Sequence, residues 1–254
     1  MKISEKFKEL EQKGEKALII YITAGYPSVE ESKKIASKIV DSGADIIEFG
    51  LPFSDPIADG PTIQESSQKA LETGMDTDKY FKMIKELQCP IPVVCMTYYN
   101  LLLQHGLERF CKSCAETGVD GLIIADLPIE EADELDEICK REGIDLIFIV
   151  SPNTGKQRLE KALRKSRGFI YLQSVLGITG ARKGMNDVVF EKINQIKQES
   201  KLPVCVGFGI STPEHAEKLA KRGADGVIVG SAVIDLIKKN KSPASFVKSL
   251  KEAL

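Results

Sequence analysis

One short phrase recurs along this chain and constrains its fold more than any other feature. A glycine, any residue and an aspartate stand just before an apolar run at four places, which begin at Gly43, Gly118, Gly143 and Gly223. Glycine suits the left-handed position that ends a helix, and aspartate opens the turn into a strand. Two copies lie 25 residues apart, and Gly43 and Gly118 are separated by three times that distance. A repeated helix–turn–strand unit of this size predicts a βαβα winding with a parallel sheet.

Eight apolar runs are predicted as strands, at residues 17–22, 46–49, 91–96, 122–125, 146–150, 168–173, 202–206 and 227–229. Apolar residues at helical spacing predict helices at 2–13, after Ser28, and at 62–73, 77–87, 106–116, 130–141, 156–165, 187–199, 213–221 and 244–253. The length of 254 residues suits an eight-fold barrel, and no change of composition divides the chain. The sequence therefore predicts an α/β fold: a single (β/α)8 TIM barrel domain, residues 1–254, with an extra N-terminal helix. A doubly wound open sheet is the alternative.

Composition excludes several classes of function. The net charge is −2, which argues against a nucleic-acid or anionic-membrane partner. No apolar run approaches the roughly 20 residues that a membrane span needs. Residues 1–16 are charged and amphipathic, unlike a signal peptide. We therefore expect a cytoplasmic protein.

Cysteine and histidine are poorly placed for a metal centre. The six cysteines are scattered, and the single Cys111-x-x-Cys114 pair lies in a helical pattern, which favours helix packing over ligation. The two histidines, His105 and His215, each stand in a polar, helix-like setting, where a surface or capping role is expected. No metal ligand is predicted.

Carboxylates follow the second predicted strand, where the active sites of such barrels lie. Glu48 interrupts an apolar run, and a carboxylate buried in a strand costs several kcal/mol unless it is paired or protonated. Asp55 and Asp59 follow on a loop rich in proline and glycine. Two carboxylates in different environments can form a general acid–base pair. The alternatives are a structural Glu48 and two Asx-turns.

Glycine-rich turns follow the seventh and eighth predicted strands, at residues 207–211 and 230–231. These barrels often bind phosphate at this place, because glycine lets backbone N–H groups approach an anion. Tight βα turns are the alternative. The loop 174–187, with Arg182 and Lys183, is interpreted either as a lid over the substrate or as a solvated surface loop. The residues alone thus indicate a barrel enzyme that acts on a phosphorylated small molecule.

Six segments resemble the tryptophan synthase alpha chain family in the same order along nearly the whole chain. The most specific is Ile-Glu-Phe-Gly-Leu-Pro-Phe-Ser-Asp-Pro-Ile-Ala-Asp-Gly-Pro-Thr-Ile-Gln, residues 47–64. The others are residues 21–27, 96–100, 125–128, 177–180 and 207–211. The resemblance implies a retro-aldol cleavage of indole-3-glycerol phosphate to indole and glyceraldehyde 3-phosphate.

The resemblance also implies roles for individual residues. Glu48 would be the general acid–base on indole C3 and the glycerol hydroxyl, and Asp59 would hold the indole N–H. Tyr171 matches a family active-site tyrosine. The implied phosphate cradle comprises Gly180, Gly209, Gly230 and Ser231. The implied walls of the indole pocket are Tyr21, Ile63, Tyr98 and Phe208.

A partner follows from the same resemblance. The family works with a tryptophan synthase beta chain, which carries pyridoxal phosphate and receives indole in an α2β2 heterotetramer; no cofactor is expected in this chain. Pro52, Asp55 and Asn100 match positions that face the beta chain. Some members carry arginine where Val175 stands, so closure of the 174–187 loop is expected to differ here.

Two other functions stay open at this point. One is another phosphate-binding barrel enzyme. A sugar-phosphate epimerase would need metal-binding histidines at strand ends, and an indole-glycerol-phosphate synthase would need a lysine at a strand end. Neither feature is seen in the sequence. A non-catalytic barrel that binds and activates a partner would have no need of both Glu48 and Asp59.

Overall fold

A computed structural model describes residues 1–174 and 185–254, and its strands form one parallel sheet. The strands are Ala17–Thr23 (β1), Ile46–Gly50 (β2), Val93–Thr97 (β3), Gly121–Ile124 (β4), Asp145–Ile147 (β5), Ile149–Val150 (β6), Ile170–Gln173 (β7), Val204–Gly207 (β8) and Gly226–Val229 (β9). Their order is β5-β4-β3-β2-β1-β9-β8-β7-β6. Apart from β5 and β6, which are the two ends of this order, each strand therefore lies beside its neighbours in sequence, and β1 pairs with β9, as in a TIM barrel.

The fifth predicted strand, residues 146–150, is interrupted at Phe148. Its first half, β5, pairs with β4, whereas its second half, β6, pairs with β7. The Phe148 carbonyl accepts a hydrogen bond from the Tyr171 N–H at 3.2 Å, so bonding to β7 begins at the break. The chain bends there because its two halves bond to different neighbours. The TIM barrel is confirmed and the open sheet is wrong, but this strand position is occupied by two short strands.

Helices cover the outside of the sheet. They are Ile3–Lys13 (α1), Val29–Asp41 (α2), Pro61–Glu72 (α3), Thr77–Leu87 (α4), Tyr99–His105 (α5), Leu107–Thr117 (α6), Asp133–Glu142 (α7), Lys156–Lys165 (α8), Met185–Glu199 (α9), Pro213–Lys221 (α10), Ser231–Lys238 (α11) and Ala244–Glu252 (α12). A short 3-10 helix, Ile129–Glu131, precedes α7. Helices α5 and α11 were not predicted from the sequence. Both are short and begin directly after a strand end, where apolar periodicity has little length in which to appear.

The recurring glycine–x–aspartate phrase links neighbouring strands. All four glycines have positive φ, between +70° and +101°, which confirms the left-handed helix ends. Three of the aspartates also accept a hydrogen bond from the backbone N–H of a residue in a neighbouring strand: Asp45 from Leu18 at 2.8 Å, Asp120 from Val93 at 3.2 Å and Asp225 from Val204 at 3.1 Å. The phrase thus ends a helix and also tethers two strands at the amino ends of the barrel.

Helix α1 closes the amino-terminal end of the barrel. Ile3 is completely buried, and a Cβ added to Gly121 at the start of β4 would lie 2.8 Å from the Ile3 Cδ1 atom. The ring of Phe7 packs on that of Phe169, with 6.0 Å between centroids. The extra N-terminal helix is therefore part of the apolar core, and the opposite end of the barrel is left for chemistry.

Replacing Ile3 by alanine is expected to lower the free energy of unfolding by about 2–4 kcal/mol. The substitution opens a cavity next to Gly121, which has no side chain that could fill it. Urea unfolding measures this loss. The control is Ile57→Ala, because Ile57 is 81% exposed and its truncation is expected to change stability by less than about 0.5 kcal/mol. Equal losses in both variants would contradict a core role for Ile3.

Candidate active site

A cavity of about 300 Å³ opens at the carboxyl ends of the strands. Its lining residues come from β1, β2, β3, β7 and β9, from the loops after β2 and β8, and from the first turns of α3 and α11. They are Tyr21, Glu48, Asp59, Gly60, Pro61, Thr62, Ile63, Met96, Tyr171, Phe208, Gly209, Ile210, Ile228, Gly230 and Ser231. Most of the residues predicted for the site are thus brought to one place.

Glu48 lies in the floor of this cavity, in the middle of β2. It is 1% exposed, and its Oε2 atom is buried without a hydrogen-bond partner among the described residues. Burial, with a smaller effect from the Asp59 carboxylate, raises the pKa of Glu48 to about 8. The carboxyl group is therefore mostly protonated at neutral pH. It can donate a proton to a bound molecule, as a general acid must.

Asp59 lies on the loop between β2 and α3, and Tyr98 holds its carboxylate. The Tyr98 hydroxyl donates to Asp59 Oδ2 at 3.0 Å and accepts from the Ala58 N–H at 3.1 Å. The Gln64 side-chain amide donates to the Asp59 carbonyl at 2.9 Å, which anchors the end of the loop to α3. Burial raises the pKa of Asp59 to about 6, and the bond from Tyr98 opposes this rise. Asp59 is thus mostly ionised at a pH where Glu48 is mostly protonated.

The Tyr98→Phe variant is expected to raise the pKa of Asp59 by about one unit, because the carboxylate loses a donor that favours its charged form. If catalysis needs ionised Asp59, the acid limb of the kcat/KM profile should then shift to higher pH. A measurement of kcat/KM against pH shows this shift. Tyr99→Phe is the control, since no hydrogen bond of the neighbouring Tyr99 hydroxyl is found in the described part of the chain. An acid limb that stays in place in Tyr98→Phe would contradict this role.

Two tyrosines flank Glu48, and each occupies space that a glycine leaves free. Tyr21 on β1 is the register partner of Glu48. A Cβ on Gly50 would lie 2.1 Å from the Tyr21 hydroxyl oxygen, and a Cβ on Gly207 would lie 2.3 Å from that of Tyr171. Both glycines are therefore required for close approach of the rings, and the tyrosines narrow the cavity from two different strands, β1 and β7.

The turn after β8 and the start of α11 form the other end of the cavity. Phe208 and Gly209 both have positive φ, +73° and +74°. Gly230 precedes the first residue of α11, Ser231. Within residues 1–174 and 185–254, the N–H groups of Gly209 and Ser231 donate to no acceptor. Free N–H groups at a turn and at a helix start can bind an anion.

Comparisons with known proteins identify the family of this chain. The sequence profile of the tryptophan synthase alpha chain family matches residues 7–253. The tryptophan synthase alpha chain of Methanosarcina barkeri is 48% identical over 253 residues, which cover 100% of this chain and 95% of that protein. That of Methanocaldococcus jannaschii is 49% identical over 94% of this chain and 86% of that protein.

This chain belongs to the tryptophan synthase alpha chain family.

Solved structures give the same result at the level of the fold. The crystal structure of tryptophan synthase subunit alpha from Legionella pneumophila is 34% identical, with a TM-score of 0.90 over 99% of this chain and 97% of that one. The family assignment disfavours both alternatives left open by the residues alone, the other phosphate-binding enzyme and the non-catalytic barrel.

The residues predicted to face a beta chain lie on the loop after β2 and at the start of α5. Asp55 and Asn100 are exposed, but Pro52 is buried beneath the loop. Phe53 of this loop stacks on Tyr98, with 5.2 Å between ring centroids. Two large apolar side chains are exposed nearby in sequence, Ile57 at 81% and Leu103 at 55%.

Some predictions concern residues outside the described ranges. Gly180 of the predicted phosphate cradle and Val175 lie outside them, as do residues 175–184 of the predicted 174–187 lid, including Arg182 and Lys183.

The cysteines and histidines lie away from the cavity lining. Cys111 and Cys114 are completely buried on α6, which confirms the packing interpretation. His105 is not a surface residue, because its ring packs against those of Phe81 and Phe110. Within residues 1–174 and 185–254, no cluster of three or more His, Cys, Asp or Glu could hold a metal ion. None of the helices in these ranges has the length and apolar character needed to cross a membrane.

Six lining residues were not predicted as site residues from the sequence: Gly60, Pro61, Thr62, Met96, Ile210 and Ile228. Two of them carried a usable signal. Met96 and Ile228 each lie two residues before a predicted site residue, Tyr98 and Gly230, and alternate residues of a strand share one face.

Proposed function

We propose that this cavity is where the chain cleaves indole-3-glycerol phosphate, the reaction of the tryptophan synthase alpha chain. One observation carries the assignment of the catalytic residues. A completely buried carboxyl group, Glu48, shares one cavity with a second carboxylate, Asp59, and the two pKa values are about 8 and about 6. A retro-aldol reaction of an indole needs both an acid and an anion at pH 7.

Glu48 is proposed as the general acid and then the general base. Its proton is transferred to indole C3, which breaks the aromaticity of the ring and leaves a positively charged indoleninium. The Glu48 carboxylate then removes the proton of the glycerol hydroxyl beside C3. The bond between C3 and this carbon breaks, its electron pair returns to the ring, and indole and an aldehyde are formed with Glu48 protonated again.

Asp59 is proposed to accept a hydrogen bond from the indole N–H. Its negative charge would stabilise the positive charge that develops on the ring after protonation at C3. Tyr98 supports this role, because its hydroxyl orients the carboxylate and favours its ionised form. The ring itself is proposed to lie between Tyr21, Ile63 and Phe208, with Tyr171 beside Glu48. Tyr98, predicted as a fourth wall, lies outside the cavity lining and contacts Asp59 instead.

The phosphate group is proposed to bind at the opposite end of the cavity. Gly209, Gly230 and Ser231 would supply backbone N–H groups and one hydroxyl, and Gly180 would add to them by the family resemblance. The start of α11 supports this placement, because the N-terminus of a helix favours negative charge.

A beta-chain partner is proposed from the family assignment. The exposed apolar side chains Ile57 and Leu103, near Asp55 and Asn100, are suited to burial in a protein interface. Pro52 would shape the loop from beneath. In the proposed α2β2 heterotetramer, pyridoxal phosphate belongs to the beta chain and this chain needs no cofactor.

We also propose that residues 1–254 act as one domain, since one apolar cluster runs from Ile3 to Leu250. The six cysteines are free, which fits the proposed cytoplasmic location.

The test is release of indole from indole-3-glycerol phosphate by the purified chain, with and without a tryptophan synthase beta chain. We expect release by the chain alone and faster release with the partner. Folded protein that binds glycerol 3-phosphate but releases no indole, even with the beta chain, would overturn the proposed reaction. Release that the beta chain leaves unchanged would argue against the proposed partner.

A further inference from the structure

Phe208 adopts a backbone conformation that is rare for a large side chain. Its φ of +73° lies in the left-handed region, where a Cβ comes too close to the following carbonyl oxygen. Such a residue persists only where its surroundings hold it, and these residues are concentrated at functional sites. The following Gly209 is also left-handed, but glycine adopts that conformation at no steric cost.

Ser174 holds the backbone on both sides of this residue. The Ser174 hydroxyl donates to the Phe208 carbonyl at 2.6 Å, and the Ser174 N–H donates to the Gly207 carbonyl at 2.7 Å. Two successive carbonyl groups are therefore oriented by one residue, which is 2% exposed. Ser174 follows β7, so these bonds connect the end of β7 to the turn after β8.

We propose that Ser174 is a positioning residue for the phosphate group of the substrate. By holding Phe208 in the left-handed conformation, its hydroxyl orients the turn so that the Gly209 N–H faces the cavity before the substrate arrives. This inference rests on the proposed function, since it assumes that the turn binds phosphate.

The physical consequence is a change in affinity rather than in chemistry. Without the hydroxyl, the Phe208 backbone can relax to a conformation with negative φ, and binding must restore the strained one. The cost of restoring this conformation reduces the binding free energy, and affinity falls, because a site that is not preorganised binds more weakly. Glu48 and Asp59 make no hydrogen bond to Ser174 or Phe208, so kcat at saturating substrate is expected to change little.

The test measures binding of sn-glycerol 3-phosphate, and of indole as a probe without phosphate, by calorimetry on the full chain. Ser174→Ala is expected to weaken glycerol 3-phosphate binding by about tenfold and indole binding by clearly less, because indole would contact the Phe208 ring but not the Gly209 N–H. Ser166→Ala is the matched control. Ser166 is also buried and precedes the other end of β7, but its hydroxyl has no hydrogen-bond partner among the described residues.

A second background isolates the role of Phe208. In Phe208→Gly the left-handed conformation carries no strain, so adding Ser174→Ala there is expected to cost less than about twofold in glycerol 3-phosphate affinity. An equal loss in both backgrounds would overturn the proposal, because Ser174 would then act by another route. Unchanged affinity in Ser174→Ala would also overturn it. If the wild type itself fails to bind glycerol 3-phosphate, the proposed phosphate site is wrong, and this inference falls with it.

Discussion

Glu48→Gln is expected to reduce the rate of indole release by about three orders of magnitude, the effect of removing a general acid–base. Glutamine keeps the shape of the side chain, but it cannot transfer a proton to indole C3. Stopped-time assays of indole release, with substrate at saturation, measure the loss. Binding of sn-glycerol 3-phosphate should be retained, because the proposed phosphate site lies at the other end of the cavity.

A residual rate within about tenfold of the wild type would contradict the assignment of Glu48 as the acid. The wild type adds an independent check, since it needs protonated Glu48 and ionised Asp59. Its kcat/KM is expected to follow a bell-shaped curve, with an acid limb near pH 6 and a basic limb near pH 8. The two limbs describe the pair of carboxyl groups together, because their charges interact.

The same substitution is expected to make the protein more stable at alkaline pH. The pKa of Glu48 is about 8 in the folded chain and 4.5 for an unperturbed glutamate, so the unfolded chain loses its proton first as the pH rises. Below about pH 4.5 both states are protonated and Glu48 has no pH-dependent effect. Between the two values the wild type loses stability with each unit of pH, and the loss levels off above about pH 8.

Glu48→Gln lacks this titration. The difference in free energy of unfolding between the variant and the wild type should therefore grow between these two pH values and reach about 4–5 kcal/mol in favour of the variant. Urea unfolding at about pH 5 and about pH 8.5 measures it. Glu116→Gln is the control, because Glu116 is exposed on α6 and its neutralisation should give no such pH-dependent gain. A difference between Glu48→Gln and the wild type that is the same at both pH values would contradict a buried, protonated Glu48.

Local sequence was enough to predict the barrel and the positions of most site residues. The repeated glycine–x–aspartate phrase predicted the winding because a left-handed helix end and a strand start need particular residues whatever surrounds them. Glu48 could be singled out because a carboxylate in an apolar run is costly unless it has a function or a partner. The glycine turns were likewise predicted as a phosphate site from the residues, whereas the particular role of Asp59 and the residues of the indole pocket came from the resemblance to the tryptophan synthase alpha chain family.

Local sequence did not show which distant segments of the chain pair with one another. The strand predicted at 146–150 is divided at Phe148 because each half bonds to a different neighbour, and nothing in five apolar residues encodes that exchange. Loop sequence also does not show which side faces the protein, and here Pro52 is buried whereas Asp55 of the same loop is exposed.

By itself, then, the sequence determined the helix and strand repeat, the barrel and the carboxylates after the second strand, since each depends on the properties of residues close together in the chain. Only the tertiary structure decided which groups meet. Tyr98 bonds to Asp59 across 39 residues, and Ser174 bonds to Phe208 across 34. The raised pKa of Glu48 is likewise a tertiary property, because desolvation comes from the strands and rings that close around it rather than from its neighbours in sequence.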